Sequence, residues 1–346
     1  MKAAVLRAPQ VLELGDIATP EAAPGELVLR VRAATVCGTD LRILTGRKTK
    51  GVRFPSVIGH EFAGEVVQTG DGVTQFKTGD RVCMDPVVPC LACAYCKSGH
   101  ENVCLHRQAM GYEFDGAFAE YIRIPAIALA AGNVFMMPAQ MSFESAALAE
   151  PLACCINGQR NADVRLGDTV VILGAGPIGL MHAALARLSG ARQVIVSEPN
   201  AARRQAAADR GVDHVCDPGA ESVVDFVKAR TDGLGADVVI LAIGVPQLAN
   251  EALNLVRKGG HVNLFAGFTA GETSNIDVNL IHYNEIVVTG ASALSRRDYE
   301  LALNMLSAGQ IDANALITHR YEVADSLAAF AEAGSGRALK VAIHNA

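Results

Sequence analysis

Two hydrophobic rhythms divide the chain. Between about residues 151 and 290, short unbroken apolar runs alternate with longer stretches of helical period. A run that is apolar on both faces is the mark of a strand covered on both sides, as in a parallel sheet with helices above and below. The pattern predicts strands over 169–173, 193–197, 213–216, 237–241, 261–265 and 285–289. Helices are predicted over 177–189, 200–210, 221–230 and 247–256. Six strands with helices between them form a doubly wound α/β sheet. Residues 1–150 read differently. Short β-rich runs at 27–33, 65–69, 81–84 and 121–124 are separated by Gly and Pro, which predicts a mainly antiparallel, barrel-like unit. After residue 291 the pattern predicts amphipathic helices over 298–307 and 323–333, and residues 291–346 are expected to complete the first domain.

The most informative stretch is Thr169–Leu180. A β-branched run meets Gly174, Gly176 and Gly179, and Pro177 and Ile178 open the following helix. This is a G-x-G-x-x-G turn, with glycine wherever a side chain would block the turn, the pyrophosphate or the helix-to-strand contact. The helix N-terminus offers free N–H groups to phosphates. Glu198 lies 19 residues past Gly179, where an acid meets the adenosine ribose 2′-hydroxyl, and it favours NAD over NADP. Arg203 and Arg204 leave two outcomes open, stacking on adenine or reaching a 2′-phosphate. The carboxyl ends of later strands bring Ile243, Phe265, Ala291 and Ser292 to the cofactor crevice by position alone.

Composition narrows the function classes. The 346 residues carry a net charge of −6, which gives no reason to expect nucleic acid or an anionic membrane as partner. No apolar run is long enough to span a membrane, and the N-terminus carries no signal-peptide pattern. Nine cysteines, an odd number, point to metal rather than disulfides and to a cytoplasmic protein.

Two cysteine patterns carry chemistry. Cys37-Gly-Thr-Asp40 is followed 23 residues after the cysteine by His60-Glu61. A thiolate, an imidazole and a carboxylate suit a catalytic zinc that keeps one open position; taken singly, a buried cysteine and a capping histidine would explain the same residues. Cys90, Cys93, Cys96 and Cys104 form a closed four-thiolate set, the pattern of structural zinc. The spacing departs from a ferredoxin run, and the absence of a helix-opening context argues against a redox Cys-x-x-Cys.

With these motifs the chain resembles the zinc-containing medium-chain dehydrogenases over nearly its whole length. Further matching segments are Gly79-Asp80-Arg-Val, Gly116-Ala-Phe-Ala-Glu-Tyr121 and Glu150-Pro151-Leu-Ala. Within the family it is most similar to the polyol (sorbitol or L-iditol) and L-threonine 3-dehydrogenase branch. The resemblance implies a GroES-like catalytic domain plus a Rossmann domain, two zinc ions per chain and a homotetramer or homodimer. It also implies that Cys37, His60 and Glu61 hold the catalytic zinc, with Glu150 a direct or water-bridged fourth ligand.

The expected reaction is hydride transfer between NAD(H) and a secondary alcohol of a polyol or sugar-like substrate, giving a ketone. Thr39 is placed to pass on the alcohol's proton, or else is a turn hydroxyl. Where many members carry a relay histidine this chain has Arg42, which does not deprotonate. The charge run from Arg42 to Arg53 reads either as a solvated loop or as a patch that favours a sugar acid or sugar phosphate. L-Threonine is the alternative substrate. Met84-Asp85-Pro86 and the Leu-Ile-Thr-His319-Arg320 segment favour a polyol, whereas the Arg-Tyr pair of sorbitol dehydrogenases is missing. His319 reads as a structural residue, and Lys340 as a pyrophosphate contact or a solvated lysine. A zinc-free quinone reductase and a non-catalytic dinucleotide sensor are the readings from other classes.

Overall fold

The computed structural model describes residues 1–345, and the chain divides into two units. One is Cys154–Ser292; the other joins Met1–Ala153 to the chain from Ala293 onward.

The Cys154–Ser292 unit is a six-stranded, all-parallel sheet. Its strands, numbered within this unit, are β1 (Thr169–Leu173), β2 (Gln193–Ser197), β3 (His214–Cys216), β4 (Ala236–Leu241), β5 (Val256–Leu264) and β6 (Val287–Gly290). They lie in the order β3-β2-β1-β4-β5-β6. All five residues of β1 are buried, which is why the run is apolar without alternation. The order reverses between β1 and β4, and in such sheets ligands bind beyond the carboxyl ends of the strands at that switch.

Two strand ends differ from expectation. The helix Pro246–Leu255 stops before Lys258-Gly-Gly260, and β5 begins at Val256 rather than His261. Ala236 pairs with Val256 and Val238 with His261, so the glycines form a bulge inside the strand instead of a turn before it. Glu285 adopts φ 51°, closing the helix Val278–Asn284 in left-handed geometry, and β6 starts only at Val287.

In the other unit the main sheet runs, in order, through Val134–Met136, Arg81–Met84, Glu61–Thr69, Leu27–Thr35, Lys340–His344 and Ile317–Glu322; Tyr121–Ile124 also pairs with Leu27–Thr35. Pairing is antiparallel except between the last two strands. Phe62, Phe118, Leu27, Leu29 and Ile122 fill its core. The strand expected from residue 65 begins four residues earlier, at Glu61. Thr35 consequently pairs with Glu61 on one side and with Ala342 on the other. No helix among the described residues is long and apolar enough to cross a membrane.

Candidate active site

Three elements converge at the end of the strand Leu27–Thr35. Cys37 caps the helix Gly38–Leu44, and its Sγ accepts the Thr39 N–H at 3.4 Å. Three residues on, Asp40 completes a capping box, with Oδ2 accepting the Cys37 N–H at 2.9 Å. Its other oxygen lies 3.3 Å from His60 Nδ1, and both side chains are buried. At that separation the carboxylate stands as an electrostatic neighbour of the imidazole, without a hydrogen bond between the two atoms. Gly59, at φ +103°, makes the turn into His60; a Cβ there would strike the Phe118 ring at 2.8 Å.

Ligand atoms of Cys37, His60 and Glu61 lie within 4.8 Å of one another. Tetrahedral zinc with bonds of 2.0–2.3 Å holds its ligands roughly 3.5 Å apart, so a small adjustment closes this set on one ion. The Glu61 carboxylate is fully buried and accepts from Lys340 Nζ and from the Thr35 hydroxyl. Burial works against a charge on Lys340, but the Glu61 carboxylate, together with Cys37 and Glu150, outweighs it and raises the lysine pKa above its ordinary value. Lys340 is therefore not solvated: it is 5% exposed and pairs with a candidate metal ligand. Glu150, on the first turn of the helix Ala149–Ala162, is buried but lies outside the 4.8 Å set.

Around this trio stand residues the motifs did not single out. The Tyr112 ring lies 5.7 Å from that of His60, and Lys48 Nζ sits 4.9 Å over the Tyr112 ring. Arg42 Nη2 donates to Thr39 Oγ1 at 3.1 Å. Thr35, Tyr112 and Lys340 carry no motif because strand register and a distant loop bring them in. Asp40 was legible as the acid three residues after a cap.

The four cysteines of the lobe also converge. Cys93 Sγ is 3.5 Å from Cys96 Sγ and 3.9 Å from Cys104 Sγ, and all four sulfurs lie within 4.8 Å. Four sulfurs around zinc at 2.3 Å would be about 3.8 Å apart. N–H groups of Cys90 and His106 each donate to Cys104 Sγ at 3.3 Å. Backbone donors near Cys96 and Leu105 pull the Cys93 thiol down to about 6, so thiolate forms readily. One sequence argument needs correcting. Cys93 does open a helix, Ala94–Lys97, but a single turn, and the gathering of four sulfurs is what argues against a two-cysteine redox motif. Arg296 grips Glu101 of this lobe with two bonds, at 3.0 and 2.5 Å.

In the parallel-sheet unit, Gly176 caps the helix Pro177–Leu188, with Pro177 in its first turn and Ile178 after it. Gly179 allows the helix to meet the turn: a Cβ there would lie 1.9 Å from the Gly174 carbonyl oxygen. Glu198 follows β2, and its two oxygens accept the N–H groups of Ala175 and Asn200 at 2.8 and 2.9 Å. Arg204 is occupied by Asp217 at 2.6 Å and by the Glu198 and Pro199 carbonyls, which removes it as a phosphate contact. Arg203 Nε has no hydrogen-bond partner. Ile243 packs beside Gly174, past the end of β4, and Ala291 and Ser292 follow β6. The Phe265 ring, partly buried past the end of β5, packs edge-on to His182 at 4.6 Å.

Comparison with known proteins decides the family. Residues 23–133 match the alcohol dehydrogenase GroES-like domain, and residues 177–308 match the zinc-binding dehydrogenase domain. A sorbitol dehydrogenase from Halalkalibacterium halodurans is 35% identical over 93% of each chain. The chain belongs to the zinc-binding alcohol dehydrogenase family. An L-threonine 3-dehydrogenase from Pyrococcus furiosus is 36% identical, over 90% of this dehydrogenase and 88% of its relative. Among solved structures, a protein from Sinorhizobium meliloti 1021 described as a zinc-binding dehydrogenase, with NADP bound, superposes with a TM-score of 0.93 and 31% identity over 99% of both chains. This dehydrogenase is thus a zinc-dependent oxidoreductase of the alcohol dehydrogenase type, with a GroES-like domain and a Rossmann-type sheet.

Proposed function

We propose that the dehydrogenase oxidises a secondary alcohol of a polyol or sugar-like substrate to a ketone, using NAD, at a zinc held by Cys37, His60 and Glu61. The observation that carries this reading is the convergence of those three ligand atoms within 4.8 Å. Zinc bound there supplies Lewis-acid polarisation of the alcohol oxygen. The protein's own groups do the rest. Asp40 stands beside the His60 ring as an electrostatic neighbour, and Lys340 and Thr35 hold the Glu61 carboxylate. Glu150 reaches the ion through water. Thr39 relays the alcohol's proton, its hydroxyl handing its own proton on to solvent as it accepts the new one, and the Arg42 guanidinium that donates to Thr39 Oγ1 holds that hydroxyl in place. The carbon-bound hydrogen leaves as hydride to NAD, giving ketone, NADH and a proton.

A second zinc on Cys90, Cys93, Cys96 and Cys104 is structural, making two per chain. NAD is favoured over NADP because the Glu198 carboxylate lies beside the glycine turn, although the Sinorhizobium protein carries NADP. Met1–Ala153 with the chain from Ala293 is the catalytic domain, and Cys154–Ser292 the nucleotide domain. Assembly as a homodimer or homotetramer is supported by the edge strand β6, which exposes Val287 near the exposed Val278 and Tyr283. That none of the nine cysteines, all among the described residues, is in a disulfide supports a cytoplasmic setting.

Metal analysis and NADH absorbance test this together. Two zinc per chain and NADH formation with polyols are expected. No zinc, or turnover of L-threonine with polyols inert, would overturn the metal or the substrate assignment respectively.

A further inference from the structure

Two cations stand near the candidate zinc site. Arg42 bonds Thr39 Oγ1 at 3.1 Å, and the Thr39 N–H bonds Cys37 Sγ. Lys48 lies over the Tyr112 ring at 4.9 Å, and that ring lies 5.7 Å from His60. The two are fixed to each other, because the Lys48 N–H donates to the Arg42 carbonyl at 3.1 Å. The loop is also seated: a Cβ on Gly51 would lie 2.3 Å from a carboxylate oxygen of Glu113.

The charge run is therefore not a freely solvated loop throughout. Lys48 is half-buried, and burial together with the charges of Arg107, Arg42 and Lys50 lowers its pKa, against which stands Glu113. That Glu113 carboxylate already accepts the Ala109 N–H at 2.9 Å. The Lys48 ammonium, held over the Tyr112 face, and the Arg42 guanidinium on Thr39 put two cations on one short segment beside the ligand set, which favours an anionic group there. One aromatic ring separates this cluster from His60, a span that a short carbon chain bridges.

We propose that the alcohol substrate carries a terminal oxyanion, a carboxylate or a phosphate, and that Lys48 and Arg42 bind it while the hydroxyl is presented at Cys37, His60 and Glu61. This deepens the polyol reading above and rests on it. Tyr112 is the spacer: its face carries the ammonium, and its edge sets the distance between the anion and the reacting carbon.

The test compares glucitol, glucitol 6-phosphate and gluconate with NAD, using the zinc-loaded enzyme and its Lys48→Gln and Lys48→Met variants. Binding of glucitol 6-phosphate and of inorganic phosphate is followed in parallel by calorimetry. The expected result is a kcat/KM at least about tenfold higher for an anionic substrate than for glucitol, carried mainly by KM and reduced by added salt. In each variant that preference falls by roughly 10- to 100-fold. The two anionic substrates tell carboxylate from phosphate. If glucitol is oxidised as well as either anion, the anion site is overturned and the polyol reading stands. If nothing is oxidised but glucitol 6-phosphate binds and Lys48→Gln abolishes that binding, the anion site is supported and the polyol reading falls. Equal binding by parent and variants, or none, overturns the proposal.

Discussion

Lys340 Nζ lies 2.8 Å from one oxygen of Glu61 and 2.5 Å from the other, with both side chains at 5% exposure or less. A carboxylate at a metal site is thus held by an internal cation from the last strand of the same sheet. Removing one partner of such a pair strands the other charge, at a cost of about 3–5 kcal/mol. Zinc supplies a replacement cation. Lys340→Met is therefore expected to be destabilised by about that amount when stripped of metal, and by much less when zinc-loaded. Urea unfolding with and without chelator checks this; equal losses in both states would contradict it.

The four-thiolate lobe predicts a separable metal. Cys104→Ser replaces a buried ligand, so zinc content is expected to fall from two ions per chain to one, with a loss of thermal stability. Elemental analysis of the purified variant reads this directly. Retention of both ions would remove the lobe as a zinc site.

Cofactor choice hangs on Glu198, whose oxygens accept two backbone N–H groups. Glu198→Gln sets an amide NH₂ against one of those donors and removes the charge that repels a 2′-phosphate. The ratio of kcat/KM for NADP to that for NAD is expected to rise about tenfold or more, with NAD turnover falling. An unchanged ratio would show that Glu198 does not select the cofactor.

His182 predicts acid lability. It is fully buried against Phe265, and burial holds its pKa down to about 3, against an ordinary 6.5. An unfolded chain takes up the proton near 6.5, while the folded ring refuses it until about 3. Its contribution is thus intact above pH 6.5 and is lost as pH falls toward 3, on the order of 5 kcal/mol in full. His182→Leu has no such proton to take up. Its urea midpoint should rise relative to the parent as pH falls from 7 to 4, and parallel curves would refute the assignment.

Much of the nucleotide unit was legible in the sequence because its strands are buried on both faces and read as unbroken apolar runs. The same rule misplaced the start of β5, since a Lys-Gly-Gly bulge inside a strand looks like a turn. Cys37, His60 and Glu61 were legible as ligand types, but Glu61 was taken to precede its strand, whereas it is the first residue in it. Lys340 was misjudged for a physical reason: its partner is chosen by sheet order, with Thr35 between Glu61 and Ala342, and nothing local in Ala-Leu-Lys-Val states that neighbour. Tyr112 was hidden likewise, because a loop rather than a motif brings it to His60, whereas Lys48 was legible within the charge run from Arg42 to Arg53.

The bond between Glu61 and Lys340 closes over 279 residues. At ribosomal speeds on the order of 5–20 residues per second, the glutamate waits tens of seconds for its lysine. During that interval the nascent chain holds a thiol, an imidazole and a carboxylate already made but still lacking the strand that neutralises one of them. Metal captured then would meet an unfinished cradle, so lasting occupancy is expected to begin only after translation has delivered the final strand.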